Sequence, residues 1–268
     1  MSGLTVTQIL AQPGALRVAF QPVFDIRDRE PRPHAFEALS RGAPGTGLES
    51  AVTLFERARA EGGQGETDRL CIEAILGSLE GVAFEGDVTL NVHASTLGGD
   101  RGFVEFLAEA AARRRFSMTR LIVEVLEHDR PADGALFAQA LQGLRGRGVR
   151  IALDDVGLGL SNYQMMLDCD ADYLKVDRCL VMDCDRDVRR RAVLDSVFLL
   201  GGRLGSRVIA EGVETAGELA TLVSLGIELA QGFLLSRPLP AAALASGGAG
   251  PFPRGPFGPA GGAFAASF

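Results

Sequence analysis

Asp154 and Asp155 stand side by side in VRIALDDVGLGLSN (149–162), after an apolar run and before Gly157 and Gly159. Two adjacent carboxylates at the end of a buried strand repel each other. Burying either one unpaired costs several kcal/mol or more, so something must offset that cost. The same pattern recurs along the chain, where apolar segments end in a polar or acidic residue. Glu37, Asn91, Glu124 with Glu127, Asp154 with Asp155, Lys175 with Asp177, Glu211 with Glu214, and Gln231 all occupy such positions. If these ends converge, many acids meet around one Asn, one Lys and one Gln. Converging carboxylates need cations to neutralise them. Hard oxygen donors suit Mg²⁺ or Mn²⁺ rather than zinc. Successive strand side chains point apart, so Asp154 and Asp155 are expected to serve different ions. Two metals about 4 Å apart are the arrangement for in-line attack of water on a phosphate ester. Acids with Mg²⁺ also serve isomerases and aldolases, so the chemistry is not fixed by the acids alone.

The elements that must position these residues follow from periodicity. Strand candidates cover 17–26, 34–41, 88–93, 121–127, 149–155, 172–177, 207–212 and 229–233. Helix candidates cover 49–61, 67–79, 103–115, 134–147, 187–204 and 216–225. Alternating strands and helices imply a largely parallel sheet. Eight such strands favour an α/β fold closed as a (β/α)8, TIM-like barrel, whose strand C-termini gather on one face. No dinucleotide-binding glycine fingerprint opens a helix, which weighs against an open sheet. Only residues 27–33 separate the first two strands, too few for a parallel crossover. An antiparallel first strand is therefore expected. The chain divides into a lead-in over 1–16, a barrel domain over 17–245 and a flexible Gly/Pro/Ala-rich tail over 246–268.

Composition sets outer limits. The 268 residues are 47% hydrophobic with a formal net charge of −7. That balance does not fit duplex nucleic-acid binding, and an anionic ligand would need local cations. No apolar run spans a bilayer and no leader pattern opens the chain. A cytoplasmic protein without membrane insertion is expected. Cys71, Cys169, Cys179 and Cys184 form no CxxC pair and read as reduced thiols.

FEALSR (36–41) resembles the signature of the EAL-domain cyclic di-GMP phosphodiesterases. QPVFD (21–25), NVHAS (91–95), EVLE (124–127), LDDVGLG (153–159), DYLKVD (172–177), VIAEGVET (208–215) and QGF (231–233) before Pro238 extend the resemblance over about 17–240. The resemblance implies metal ligation by Glu37, Asn91, Glu124 and Asp154, and a second metal on Asp155 with Asp177 nearby. It implies that Glu211 belongs to the metal and water shell, and that Lys175 holds or activates the attacking water. It implies further that Glu127 anchors the loop after strand five, that Glu214 and Gln231 lie on the active face, and that Gln21, Leu39 and Arg41 surround the dinucleotide. The implied reaction opens cyclic di-GMP to linear pGpG with two Mg²⁺ or Mn²⁺ ions, in a homodimer open to a regulatory protein partner.

Several residues depart from the family pattern. The usual DFGTGYS loop reads DVGLGLS, so Val156, Leu158 and Leu160 replace Phe, Thr and Tyr, and two hydroxyls that could order the loop are lost. Leu126 stands where the family has Thr. His93 replaces a common Ser and shares a strand face with Asn91; a hydrogen-bonded structural histidine is the simpler reading. LGGDRGF (97–103) lacks the Glu-Phe of the opposing cyclases. A catalytically silent cyclic di-GMP receptor and a protein-interaction module are the alternatives to an active enzyme.

Overall fold

The computed structural model describes residues 3–28, 30–126, 131, 133–157 and 162–246. Eight strands close into a barrel in chain order. They are β1 (Leu16–Asp25), β2 (Arg32–Gly42), β3 (Asp87–His93), β4 (Leu121–Leu126), β5 (Arg150–Val156), β6 (Tyr173–Val176), β7 (Arg207–Ala210) and β8 (Leu229–Ala230). β1 runs antiparallel to both β2 and β8, and all other pairs are parallel. The expected (β/α)8 barrel with an inverted first strand is therefore what the chain forms.

A period of two builds the active face. One apolar layer plugs the barrel interior: Val23, Ala35, Ile122, Ala152, Tyr173, Ile209 and Leu229. Side chains two residues apart on a strand share a face. Two residues on from Ala35, Ile122, Ala152, Tyr173, Ile209 and Leu229 stand Glu37, Glu124, Asp154, Lys175, Glu211 and Gln231. β1 runs the other way, so its contribution is Gln21, two residues before Val23. The apolar layer is thus the floor of the polar site.

The larger core lies between the barrel wall and its helices, and includes Phe20, Phe36, Leu90, Phe103, Val123 and Phe137. Helices form at Ala51–Ala60, Gln64–Ser78, Phe103–Arg113, Gly134–Arg145, Val188–Leu204 and Ala216–Ser224, close to the expected spans. The last three of these start at side-chain caps. Asp133 accepts from the amides of Ala135 and Leu136, and Asp187 accepts from those of Arg189 and Arg190. Gly205, at φ 78°, ends the longest helix in the left-handed conformation that glycine adopts without cost.

Four shorter helices are additional: Val6–Leu10, Ala94–Leu97, Asn162–Cys169 and Arg178–Val181. The first packs Val6, Ile9 and Leu10 against Leu48, Leu54 and Ala58. Among the described residues no helix is long and apolar enough to cross a membrane. No disulfide joins the four cysteines, all of which lie among the described residues.

Candidate active site

Lys175 lies at the centre of the site. Its side chain is 2% exposed, and its Nζ donates to Glu124 Oε1 at 2.5 Å and Glu211 Oε1 at 2.6 Å. Asp154 Oδ1 and Glu37 Oε1 stand 3.5 and 3.7 Å away. Glu37 also accepts from Gln231 Nε2 at 2.6 Å and from Asn91 Nδ2 at 3.4 Å. Strand register explains the convergence: Gln21 faces Glu37 across β1–β2, and Asn91 is level with Glu124 across β3–β4.

The charge balance of this cluster is unfavourable as it stands. One ammonium faces four carboxylates. Burial pushes the Glu124 carboxyl well above the usual carboxylate range, with Asp154, Glu37 and Glu211 adding to the rise against the pull of Lys175. Burial likewise lifts Glu211 to about 8, with Asp154 and Glu37 adding to it. Burial alone would lower the Lys175 pKa, but the carboxylates outweigh it and hold the group above the ordinary lysine range. The ammonium therefore stays charged while two acids are driven toward protonation.

Among the described residues no three Asp, Glu, His or Cys side chains form a ready-made metal cluster, because the carboxylates gather on the ammonium instead. The donor set nevertheless fits divalent cations. Glu124 Oε2, Asp154 Oδ1 and Gln231 Oε1 are buried without a hydrogen-bond partner, and an excess of buried negative charge surrounds them. Hard oxygen donors of this kind are the ligands of Mg²⁺ and Mn²⁺.

The Asp154–Asp155 pair has a backbone explanation. β5 carries a bulge: Leu153 is level with Leu174, but Val156 is level with Val176. The extra residue re-aims the strand end. Asp155 takes φ 52°, which Asp tolerates better than most residues. Gly157 follows at φ 105°, where a Cβ would strike Leu180. The bulge, rather than simple strand alternation, sets the backbone at Asp155. Asp155 and Asp177 both act on the Cys179 thiol, which burial, then Asp177 and more weakly Asp155, push up to about 11. Asp177 also caps the helix Arg178–Val181, accepting from the Cys179 amide at 2.7 Å.

A cavity opens over the cluster, lined by Gln21, Lys175, Arg178, Glu214 and Phe233 among others. Gln21 donates to the Ser236 carbonyl at 3.1 Å. Gly232 is a steric necessity here, because a Cβ on it would meet the Val213 backbone. Glu37 and Asn91 also line a second cavity, which contains Leu39. Arg41 shares the strand face of Glu37 and Leu39 but is not among the residues lining either cavity. Glu127, Leu158 and Leu160 lie outside the described residues, as does the tail from 247 onward.

Two residues that the strand-end pattern does not pick out support the site. Arg178 pairs with Glu214 at 2.9 Å and supplies a cation beside the acids. Glu218 is buried and accepts from the amides of Glu214, Thr215 and Asp183 at 2.9, 3.0 and 3.0 Å. It thereby ties down the loop that follows Glu211. Its signal was Thr215-x-x-Glu218, a capping box. Burial raises the Glu218 pKa, but the three amides outweigh it and hold the carboxyl below its usual 4.5. Its contribution is thus present above pH 4.5 and lost as pH falls through the lowered folded value. In acid titrations followed by thermal unfolding, Glu218→Gln should lose less stability below about pH 4.5 than the parent protein.

A closed barrel whose strand ends converge acids on one lysine defines the class: a (β/α)8 protein with an acidic active face. The EAL domain family model matches residues 7–238, and the chain belongs to that family. The Pseudomonas aeruginosa cyclic di-GMP phosphodiesterase NbdA is 30% identical over 235 residues, covering 85% of this chain and 30% of that protein. The PaMucR phosphodiesterase in its c-di-GMP complex superposes with a TM-score of 0.74 at 27% identity, over 86% of this chain and 99% of that one. Klebsiella pneumoniae BlrP1, as a manganese/c-di-GMP complex, gives 0.71 at 28% identity, over 85% and 57%. The chain spans 24–39% of the length of three curated relatives.

Proposed function

We propose that this protein hydrolyses cyclic di-GMP to linear pGpG, using two divalent cations, Mg²⁺ or Mn²⁺. The observation that carries the reading is the Lys175 cluster. Four carboxylates are held around one buried ammonium, an arrangement that costs stability unless cations join it. A receptor or interaction module has no need of that cost. The resemblance to the PaMucR phosphodiesterase and to BlrP1, each bound to cyclic di-GMP, supports the substrate.

Glu37, Asn91, Glu124 and Asp154 would hold one ion, and Asp155 with Asp177 the other. When bound, such ions polarise the phosphate and lower the pKa of water. The chain's own groups do the rest. Lys175 donates toward the attacking water and stabilises charge that develops on phosphate oxygens. Glu211, whose Oε1 lies 2.6 Å from Lys175 Nζ, is placed to take a proton from that water. As the water oxygen bonds to phosphorus and gives up a proton, one P–O3′ bond of the ring breaks and the leaving O3′ takes up a proton, which yields linear pGpG. Gln21, Leu39 and Gln231 orient the dinucleotide, Glu214 acts with Arg178 at the cavity wall, and Glu127 anchors the loop after β5. We further propose a domain over 17–245 and a homodimer in the cytoplasm, open to a regulatory protein partner.

The test is incubation of the purified protein with cyclic di-GMP and Mn²⁺, with products separated by chromatography. The expected product is pGpG, abolished by a chelator. Intact cyclic di-GMP that is bound but not opened would instead favour the receptor. Calcium is expected to preserve binding and lower turnover by about tenfold or more, because its longer, looser coordination disturbs the reacting geometry. Initial rates in mixed Mn²⁺ and Ca²⁺ check this.

A further inference from the structure

We infer that His93, held from behind by Asp68, is a specificity-determining contact for a purine base of the substrate; this rests on the phosphodiesterase reading above. Asp68 is fully buried on the helix Gln64–Ser78. A buried carboxylate needs donors, and it has three. The His93 amide reaches Oδ2 at 3.0 Å, the Thr96 hydroxyl reaches Oδ2 at 2.6 Å, and the His93 ring meets Oδ1 through Nδ1 at 2.8 Å. A carboxylate only accepts, so the network assigns the Nδ1 proton to this bond. Nε2 is then the ring's remaining polar atom and an acceptor in the neutral ring.

Nε2 has no protein partner among the described residues, although His93 is only 3% exposed. The ring lines the second cavity, of about 330 Å³, which Glu37 and Asn91 join to the acid cluster. Its other walls are apolar at Val52, Phe55, Leu39 and Leu126 and polar at Ser40, Glu56 and Arg59. Phe55 meets the His93 ring edge-on, with centroids 5.3 Å apart. A slot with apolar walls and a recessed imidazole nitrogen, beside a phosphate-handling cluster, fits a flat heterocycle that carries an N–H edge. Guanine offers such an edge through N1–H and its exocyclic amine. A purely structural histidine accounts for Nδ1 and the Asp68 network, but not for the second nitrogen facing the cavity.

The experiment measures cyclic di-GMP binding by calorimetry with Ca²⁺ present, for the parent protein, His93→Asn and Val52→Trp. The asparagine amide can still donate to Asp68 but removes the atom in the cavity. Its dissociation constant should rise about tenfold, the loss of one hydrogen bond, while Tm and Mn²⁺ affinity hold. Val52 is 64% exposed, so Val52→Trp narrows the cavity from its rim without touching the core and should weaken binding by a similar factor. Should His93→Asn fail to fold, Val52→Trp decides. Unchanged affinity in the folded variants, beside a parent protein that binds, overturns this inference alone. A parent protein that does not bind cyclic di-GMP overturns the proposed function and this inference with it.

Discussion

Lys175→Met should lower turnover of cyclic di-GMP by about a hundredfold or more and also lower the stability of the metal-free protein. Both effects come from the same atom. Nζ is the ammonium shared by Glu37, Glu124, Asp154 and Glu211. Methionine keeps the volume and removes the charge. Breaking a buried ion pair by deleting one partner costs about 3–5 kcal/mol, which in a domain of this size lowers Tm by about 10 °C. Adding Mn²⁺ should recover part of that loss, because cations replace the missing charge in the native state only.

The pH dependence has a defined sign. Glu211 is raised from 4.5 to about 8 in the folded protein. Its contribution is therefore full below 4.5 and is lost as pH rises through about 8. Metal-free protein should lose stability across that window, and saturating Mn²⁺ should flatten the profile. Thermal unfolding with and without Mn²⁺ checks each point. An unchanged Tm for Lys175→Met would mean that the acids do not depend on the ammonium.

Glu37→Ala should reduce pGpG formation by at least about a hundredfold, since losing even an outer-shell partner of a metal site typically costs 10–100-fold. Glu37 links the lysine cluster to both cavities. It meets Lys175, Asn91 and Gln231 and borders both cavities. The variant should keep its fold, because an alanine at this position removes negative charge from an acid-rich cluster. A rate near that of the parent protein would remove Glu37 from the machinery. Its measurement is a direct comparison of initial rates at saturating Mn²⁺.

Much of the barrel was legible because two periodicities leave clear traces. Short β-branched and apolar runs marked all eight strands, and the seven-residue gap at 27–33 dictated the inverted β1. Much of the ring of site residues was legible for the same reason, since Glu37, Glu124, Asp154, Lys175, Glu211 and Gln231 each close an apolar run, two positions beyond a plug residue. What escaped the sequence depends on tertiary contact. The helix Asn162–Cys169 is only two turns long, too short for its apolar face to show a period. β8 is reduced to Leu229–Ala230, because Gly232 packs against the Val213 backbone and ends the strand before Gln231. The bulge at Asp154–Asp155 left no mark beyond the acids themselves. Asp68 was silent too, since a lone acid in a helix does not reveal a histidine 25 residues away.

The most direct test is an anomalous-scattering map from crystals grown with Mn²⁺ and cyclic di-GMP. Two manganese peaks are expected, one among Glu37, Asn91, Glu124 and Asp154, the other beside Asp155 and Asp177, with a phosphate of the dinucleotide between them and Lys175. A dinucleotide bound with no manganese at those carboxylates would contradict this, and would leave Lys175 as the only cation the cluster uses.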